Sequence, residues 1–204
     1  MIKSTFPDFN FSSIQLENER VKLLPLQQEH LPDLLSFSLN EPEIWTYSMI
    51  SAGGGVSAMQ AYFNMAIEAR EQKREMPFLV FDKQTQRVAG STRFYDIQPI
   101  NLSVQLGYTW YGKEFQGTGL NRHCKFLMLQ FAFETCNLVR VEFRADAANQ
   151  RSIAAMKRIG CKEEGVLRQN GFRNDGTMRD SMVLSILVNE WHEQVKPHLL
   201  KLIS

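Results

Sequence analysis

The chain has 204 residues, 44% of them hydrophobic, with 23 basic and 22 acidic side chains and a formal net charge of +1. That length can bury a sizeable core and most simply forms one domain, and the near-balance of charge, with no long run of either sign, disfavours a protein that binds nucleic acid by neutralising phosphates. No segment approaches the length of a membrane span, the first residues lack an apolar signal core, and Cys124, Cys136 and Cys161 show neither metal-ligand spacing nor a CxxC pair, so a metal-free chain in a reduced, cytoplasmic setting is expected.

Residues 1–15 read as an irregular tail whose Phe6, Phe9 and Phe11 tuck onto the domain, residues 16–191 as the domain, and residues 192–204 as a polar tail with a short apolar end. Within the domain, RVKLLPL (20–26) alternates as a strand does, and a helix follows over 28–38. After the SAGGGV turn (51–56), Ser57 can cap a helix running to about Glu75. FLVFD (78–82) and RVAGSTRFYDI (87–97) form two strands joined by a polar turn, and NLSVQLGYTW (101–110) is a further alternating strand. A helix over 119–136, a strand VRVEFRA (139–145), a helix over 149–159 and two last strands (163–168 and 179–188) flanking an NDG loop complete a mixed α+β pattern of about seven strands. The apolar LLKLIS end beyond Pro197 has little core left to join, which suggests a partner chain and a homodimer.

The segment EFQGTGLNRH (114–123) poses a physical question. Glycine lowers helix propensity and raises the entropy lost on folding, yet Gly117 and Gly119 stand at the start of a strongly apolar helix. A strand, a glycine-rich turn and a helix N-terminus together expose unpaired N–H groups where the helix dipole favours an anion; a tight turn with awkward dihedrals is the plainer explanation. A nucleoside-triphosphate loop needs lysine after its second glycine, where Gly117 is followed by Thr118. A dinucleotide fold needs a third small residue and an acidic residue at a strand end, where this chain has Arg122 and a mid-strand Glu142. A second constellation is Asn149 and Ser152, one helical turn apart, which serve equally as a helix cap and as polar groups facing a ligand. His30, His123, His192 and His198 are scattered, three of them where a solvated helix or tail is expected and His123 on an exposed helical face, and the cysteines read as small core hydrophobes.

QGTGLN (116–121) resembles the pyrophosphate loop of the GNAT acetyltransferases, and in particular of the group that includes the ribosomal-protein N-terminal (alanine/serine) acetyltransferases. LENERVKLLPL resembles the first strand of that family, EPEIWTY the end of its first helix, and RVEFRADAANQRSIAAMKRIGCKEEGVLR its fifth strand, following helix and sixth strand. The resemblance implies a mostly antiparallel sheet splayed between its fourth and fifth strands. Acetyl-CoA would enter that gap, with pantetheine along Tyr108, Thr109 and Trp110 and pyrophosphate on the backbone of Gln116, Gly117, Thr118, Gly119, Leu120 and Asn121. It further implies that Asn149 contacts pantetheine or a water and that Ser152 assists the leaving thiolate. Three positions depart from the family pattern: Asn121 replaces a small residue, Met156 a tyrosine that would act as general acid, and Gln105 a glutamate. The implied activity is acetyl transfer to a primary amine, on a protein N-terminus or a small molecule; the alternative is a non-catalytic acyl-CoA sensor or partner subunit on the same fold.

Overall fold

The structure, a computed structural model, describes residues 7–204, so Phe6 lies outside it. Strands β1 (Leu16–Glu17) and β2 (Val21–Pro25) are followed by helices α1 (Leu31–Asn40) and α2 (Val56–Glu71), then by β3 (Met76–Asp82), β4 (Arg87–Gln98) and β5 (Ser103–Tyr111). Helix α3 (Leu120–Gln130) runs on into a wide π turn (Phe131–Thr135), and β6 (Arg140–Asp146), α4 (Gln150–Arg158), β7 (Lys162–Leu167) and β8 (Ser181–Leu187) complete the sheet. The strands lie in the order β1-β2-β3-β4-β5-β6-β8-β7. Every neighbouring pair is antiparallel except β5–β6. The eighth strand, beyond the seven expected, is the two-residue β1; Asn18 turns it back onto β2 by accepting from the amides of Arg20 and Val21.

Two departures from regular pairing shape the centre of the sheet. On β5, Tyr108 and Thr109 together oppose the single residue Thr92 of β4, and Tyr108 takes φ +45°. This is a bulge, the usual device for bending a strand beside a site. At Gly90, across from Trp110 and Tyr111, a Cβ would sit 2.1 Å from the Trp110 carbonyl oxygen, so only glycine lets the strands approach there. The second departure is the split: β5 and β6 pair only at Ser103↔Arg140, Val104↔Val141 and Gln105↔Glu142. From Leu106 onward β5 has no strand partner on that edge among the described residues, which is the splay expected between the fourth and fifth strands.

The pleat sorts side chains onto two faces. Ser91, Arg93, Gln105 and Trp110 turn toward α1 and α2, where the Tyr62 hydroxyl donates to Ser91 (3.3 Å), Trp110 Nε1 donates to Tyr62 (3.2 Å) and Trp45 packs on Trp110 at 4.8 Å. Phe94, Leu106 and Thr109 turn toward α3 and its π turn, where Phe94 and Phe9 both meet Phe131. Phe11 is buried in the same core. Helix α2 is capped at Gly55 (φ +102°) rather than at Ser57, because buried Ser38 accepts from the Gly55 amide (2.9 Å) and pins the SAGGG turn two residues earlier. Residues 192–204, set apart above as a tail, are helical. Val188–Glu190 (α5), a π turn over Trp191–Val195 and α6 (Lys196–Ile203) pack beside α3, with Trp191 and Leu199 fully buried and Leu202 and Ile203 partly so. The apolar end is therefore partly covered by its own chain, with Leu199 buried and Leu200 still 44% exposed.

Candidate active site

The glycine turn after β5 is held from several sides. The Lys113 amide donates to Glu41 (2.7 Å), Arg87 forks onto Glu114 (2.6 and 2.8 Å), and buried Phe115 anchors the turn in the core. Gln116 donates to the Tyr111 carbonyl (2.8 Å) and accepts from Arg151 of α4 (2.7 Å), joining the turn to the second helix of the site. Thr118 Oγ1 donates back to the Phe115 carbonyl (2.8 Å). Against this fixed frame Gly117 and Gly119 take φ +80° and +90°, a region L side chains rarely adopt, and a Cβ on either would project into open space.

Gly119 caps α3 with no side-chain hydrogen bond, and no acidic residue occupies the first turn. Among the described residues the amides of Gly117, Thr118, Gly119 and Asn121 have no protein acceptor, and that of Leu120 reaches Thr118 Oγ1 only at 3.5 Å. Arg122 and Arg151 add positive charge nearby. The arrangement is a donor set with a helix dipole behind it and room in front, which suits a phosphate pair. Asn121, the departure from the family pattern, is accommodated by the Tyr111 hydroxyl, which donates to its Oδ1 (3.1 Å).

Helix α4 differs at its start. Asn149 Oδ1 accepts from the Ser152 amide (3.1 Å), so the cap anticipated for this asparagine is present. The hydroxyl of half-buried Ser152 has no protein partner among the described residues. Met156 is buried in the core, where it replaces the expected tyrosine by packing rather than by chemistry. Of the other sequence-predicted residues, Tyr108 and Thr109 form the bulge on the unpaired edge of β5. The Trp110 ring is buried between α1 and α2, leaving only its main chain for that edge.

The opposite face, toward α1 and α2, holds a polar cluster that the linear pattern did not reveal. Arg93 is fully buried, pairs with Glu75 (2.6 Å) and lies between the rings of Tyr62 (4.8 Å) and Tyr108 (4.9 Å). Its charge is held in place by the Tyr62 hydroxyl and by Glu75, which raise its pKa against burial. Tyr108 packs edge-on against Tyr95 at 4.7 Å, and burial pushes both hydroxyls above the usual tyrosine range. Gln105 is buried too; its Nε2 donates to Asp96 (2.7 Å), while its Oε1 has no partner. Asp96, held at φ +47°, also accepts from Gln98 (2.6 Å).

The 170–179 loop closes over this face. Its Arg173 forks onto buried Asp146 (2.6 and 3.1 Å), holding that carboxyl below the ordinary carboxylate range despite burial, and Asn174 donates to the Trp45 carbonyl (3.1 Å). Buried Arg179 reaches Ser181 (3.2 Å) and the Tyr47 carbonyl (3.4 Å). Two segments far apart in sequence thus make one border. His123, read as solvated, is instead mostly buried beside Asn18 and Glu19, where burial lowers its pKa. All three cysteines are buried, and burial pushes their thiols up to about 12, which makes them poor nucleophiles.

A split sheet, a bare helix N-terminus beside it and a second helix leaning over the gap are the features to compare with known proteins. Residues 20–162 match the family described as the acetyltransferase (GNAT) domain. The chain belongs to the GNAT acetyltransferase family. Over 104 residues it is 33% identical to YdaF of Bacillus subtilis (strain 168), named as a candidate ribosomal N-acetyltransferase; the match covers 51% of this chain and 56% of that protein, a little over half its length. Over 176 residues it is 25% identical to the uncharacterized N-acetyltransferase p20 of Bacillus licheniformis, covering 86% of this chain and 97% of that one. In three dimensions it is similar to a GCN5-related N-acetyltransferase from Brucella melitensis (TM-score 0.88, 23% identity, 100% of this chain and 91% of the other), a likeness of fold. In this GNAT domain no helix among the described residues is long and apolar enough to cross a membrane.

Proposed function

We propose that this GNAT protein transfers an acetyl group from acetyl-CoA to a primary amine by direct attack within a ternary complex. The observation that carries the reading is the bare N-terminus of α3, four amides without acceptors, set beside an edge of β5 that β6 leaves unpaired. The amides of Gly117, Thr118, Gly119 and Asn121 would hold the pyrophosphate, with Gln116 and Leu120 shaping the turn. The main chain of Tyr108, Thr109 and Trp110 would pair with pantetheine as an added strand would.

The amine then attacks the thioester carbonyl from the α1/α2 face, where the 45–49 and 170–179 segments border the acceptor. The carbon–nitrogen bond forms as the carbon–sulfur bond breaks. The proton released by the amine passes through water to Asp96, the carboxylate that Gln105 holds on this face. The free Ser152 hydroxyl donates to the departing sulfur, and Asn149 keeps the first turn of α4 in place for it. Similarity to YdaF favours a protein N-terminus as acceptor over a small amine. Acetyl-CoA offered with a panel of amines, including peptides with free N-terminal alanine or serine, should release thiol in step with acetylated product detected by mass. Binding of acetyl-CoA without thiol release across the whole panel would favour the sensor reading, for which the loss of a tyrosine at Met156 is the specific observation.

A further inference from the structure

Among the described residues one lysine is buried, and no salt bridge neutralises it. Lys125, in the second turn of α3, is 5% exposed. Its Nζ donates to Thr109 Oγ1 at 2.9 Å, and no protein acceptor takes its other two N–H bonds among the described residues. Among the described residues no carboxylate neutralises it; the titratable groups that act on it are the thiols of Cys124 and Cys161. An ammonium left this way is costly, because the desolvation penalty is repaid only by a good partner. A methionine or leucine would fill the same volume at no such cost. Burial alone brings this lysine down to about 8.

Its location suggests what completes the site. Thr109 belongs to the bulge on β5, past the last residue that pairs with β6. On the other side, the Phe143 ring of β6 lies 5.8 Å from Nζ. The ammonium therefore lies between β5 and β6 in the stretch where the two strands are no longer paired. The Thr109 hydroxyl is itself fixed, 2.7 Å from Thr92 Oγ1, so the nitrogen is aimed rather than loosely placed. Pantetheine, a chain with two amide carbonyls ending in a thioester, offers acceptors of the right kind to any donor on that floor.

We propose that Lys125 is a cofactor-binding residue whose ammonium, positioned by Thr109 at the floor of the β5–β6 gap, donates to a carbonyl oxygen of the pantetheine arm of acetyl-CoA. The proposal rests on the acetyl-CoA reading above. A charge-assisted hydrogen bond to a buried donor is worth about tenfold to a hundredfold in affinity.

The test compares acetyl-CoA with adenosine 3′,5′-bisphosphate, which lacks pantetheine, by calorimetry on the full chain. Lys125→Met and Lys125→Gln should keep or raise the melting temperature of the free protein. They should weaken acetyl-CoA about tenfold to a hundredfold and leave the bisphosphate unchanged. In the wild type, acetyl-CoA affinity should fall as pH rises from 7 through 9.5, because the lysine loses its proton across that range while the bisphosphate stays level. The groups facing Nζ are Thr109 and Phe143, which do not titrate, and Cys124 and Cys161, which titrate near 12, outside the range. Acetyl-CoA affinity within twofold of wild type in both variants, or a flat pH profile, overturns the role of Lys125 and leaves the function intact. Equal loss of both ligands marks Lys125 as a structural plug. A wild type that binds no acetyl-CoA overturns the function itself.

Discussion

Two helices of this protein begin within reach of each other and solve the same problem in opposite ways. Helix α4 closes its own N-terminus, Asn149 taking the Ser152 amide at 3.1 Å. Helix α3 starts on Gly119 with no capping side chain and leaves its first amides without acceptors. Arg151 and Gln116 tie the two starts together at 2.7 Å, so the difference does not arise from separate surroundings. A cap contributes about 1 kcal/mol to a helix. A helix that forgoes one leaves its donors and its dipole for an external anion, and part of its stabilisation waits for the ligand. The capped helix is complete in itself and frees a single side chain, Ser152, for chemistry.

The sharpest way to break the contrast is to close the open end. Gly119→Val places a side chain into the space before the amides and forces a β-branched residue to φ +90°. Wild type at a hundredfold excess of acetyl-CoA over Kd should gain about 2.7 kcal/mol, or roughly 5–10 °C in melting temperature. The variant should show no ligand shift while melting cooperatively a few degrees lower, since such strain costs about 1–3 kcal/mol. An undiminished ligand shift would place the pyrophosphate elsewhere.

Next in size is the group that the capped helix presents. Ser152→Ala should reduce kcat about tenfold to a hundredfold, the low end for proton assistance because a thiolate leaves readily, with acetyl-CoA affinity little changed. Turnover equal to wild type in a working acceptor assay would remove Ser152 from the mechanism. Opening the capped helix should cost less. Asn149→Ala should lower stability by about 1 kcal/mol, a fall of roughly 2–4 °C read by calorimetry, together with weaker cofactor binding. Smallest is the link between the two starts: Arg151→Ala removes an exposed hydrogen bond and should change stability by less than about 0.5 kcal/mol. A large loss of acetyl-CoA affinity in that variant would assign Arg151 a direct phosphate contact.

Legibility followed locality. The strands after residue 76, the helices at 120 and 150 and the glycine turn were readable because each rests on neighbours in sequence: alternation, helical spacing, or a glycine where the backbone needs positive φ. The C-terminal segment was misread because NEWHEQ looks solvated in isolation. Only α3, packed beside it, gives Trp191 and Leu199 an apolar surface to bury. The mistaken cap at Ser57 has the same origin, since Ser38, which accepts from the Gly55 amide, lies 17 residues away.

By itself the sequence determined most of the strands and helices between residues 20 and 188 and where the backbone is bare, because those depend on propensity and spacing within a few residues. Tertiary structure alone decided that Glu75, Arg93 and Tyr108 form one buried cluster and that loops near 47 and 174 make one border. It alone set Lys125 against Thr109 beneath the split. These groups are far apart along the chain, and their charges, burial and partners come from strand order and from the point at which β5 and β6 part. No local pattern carries that information.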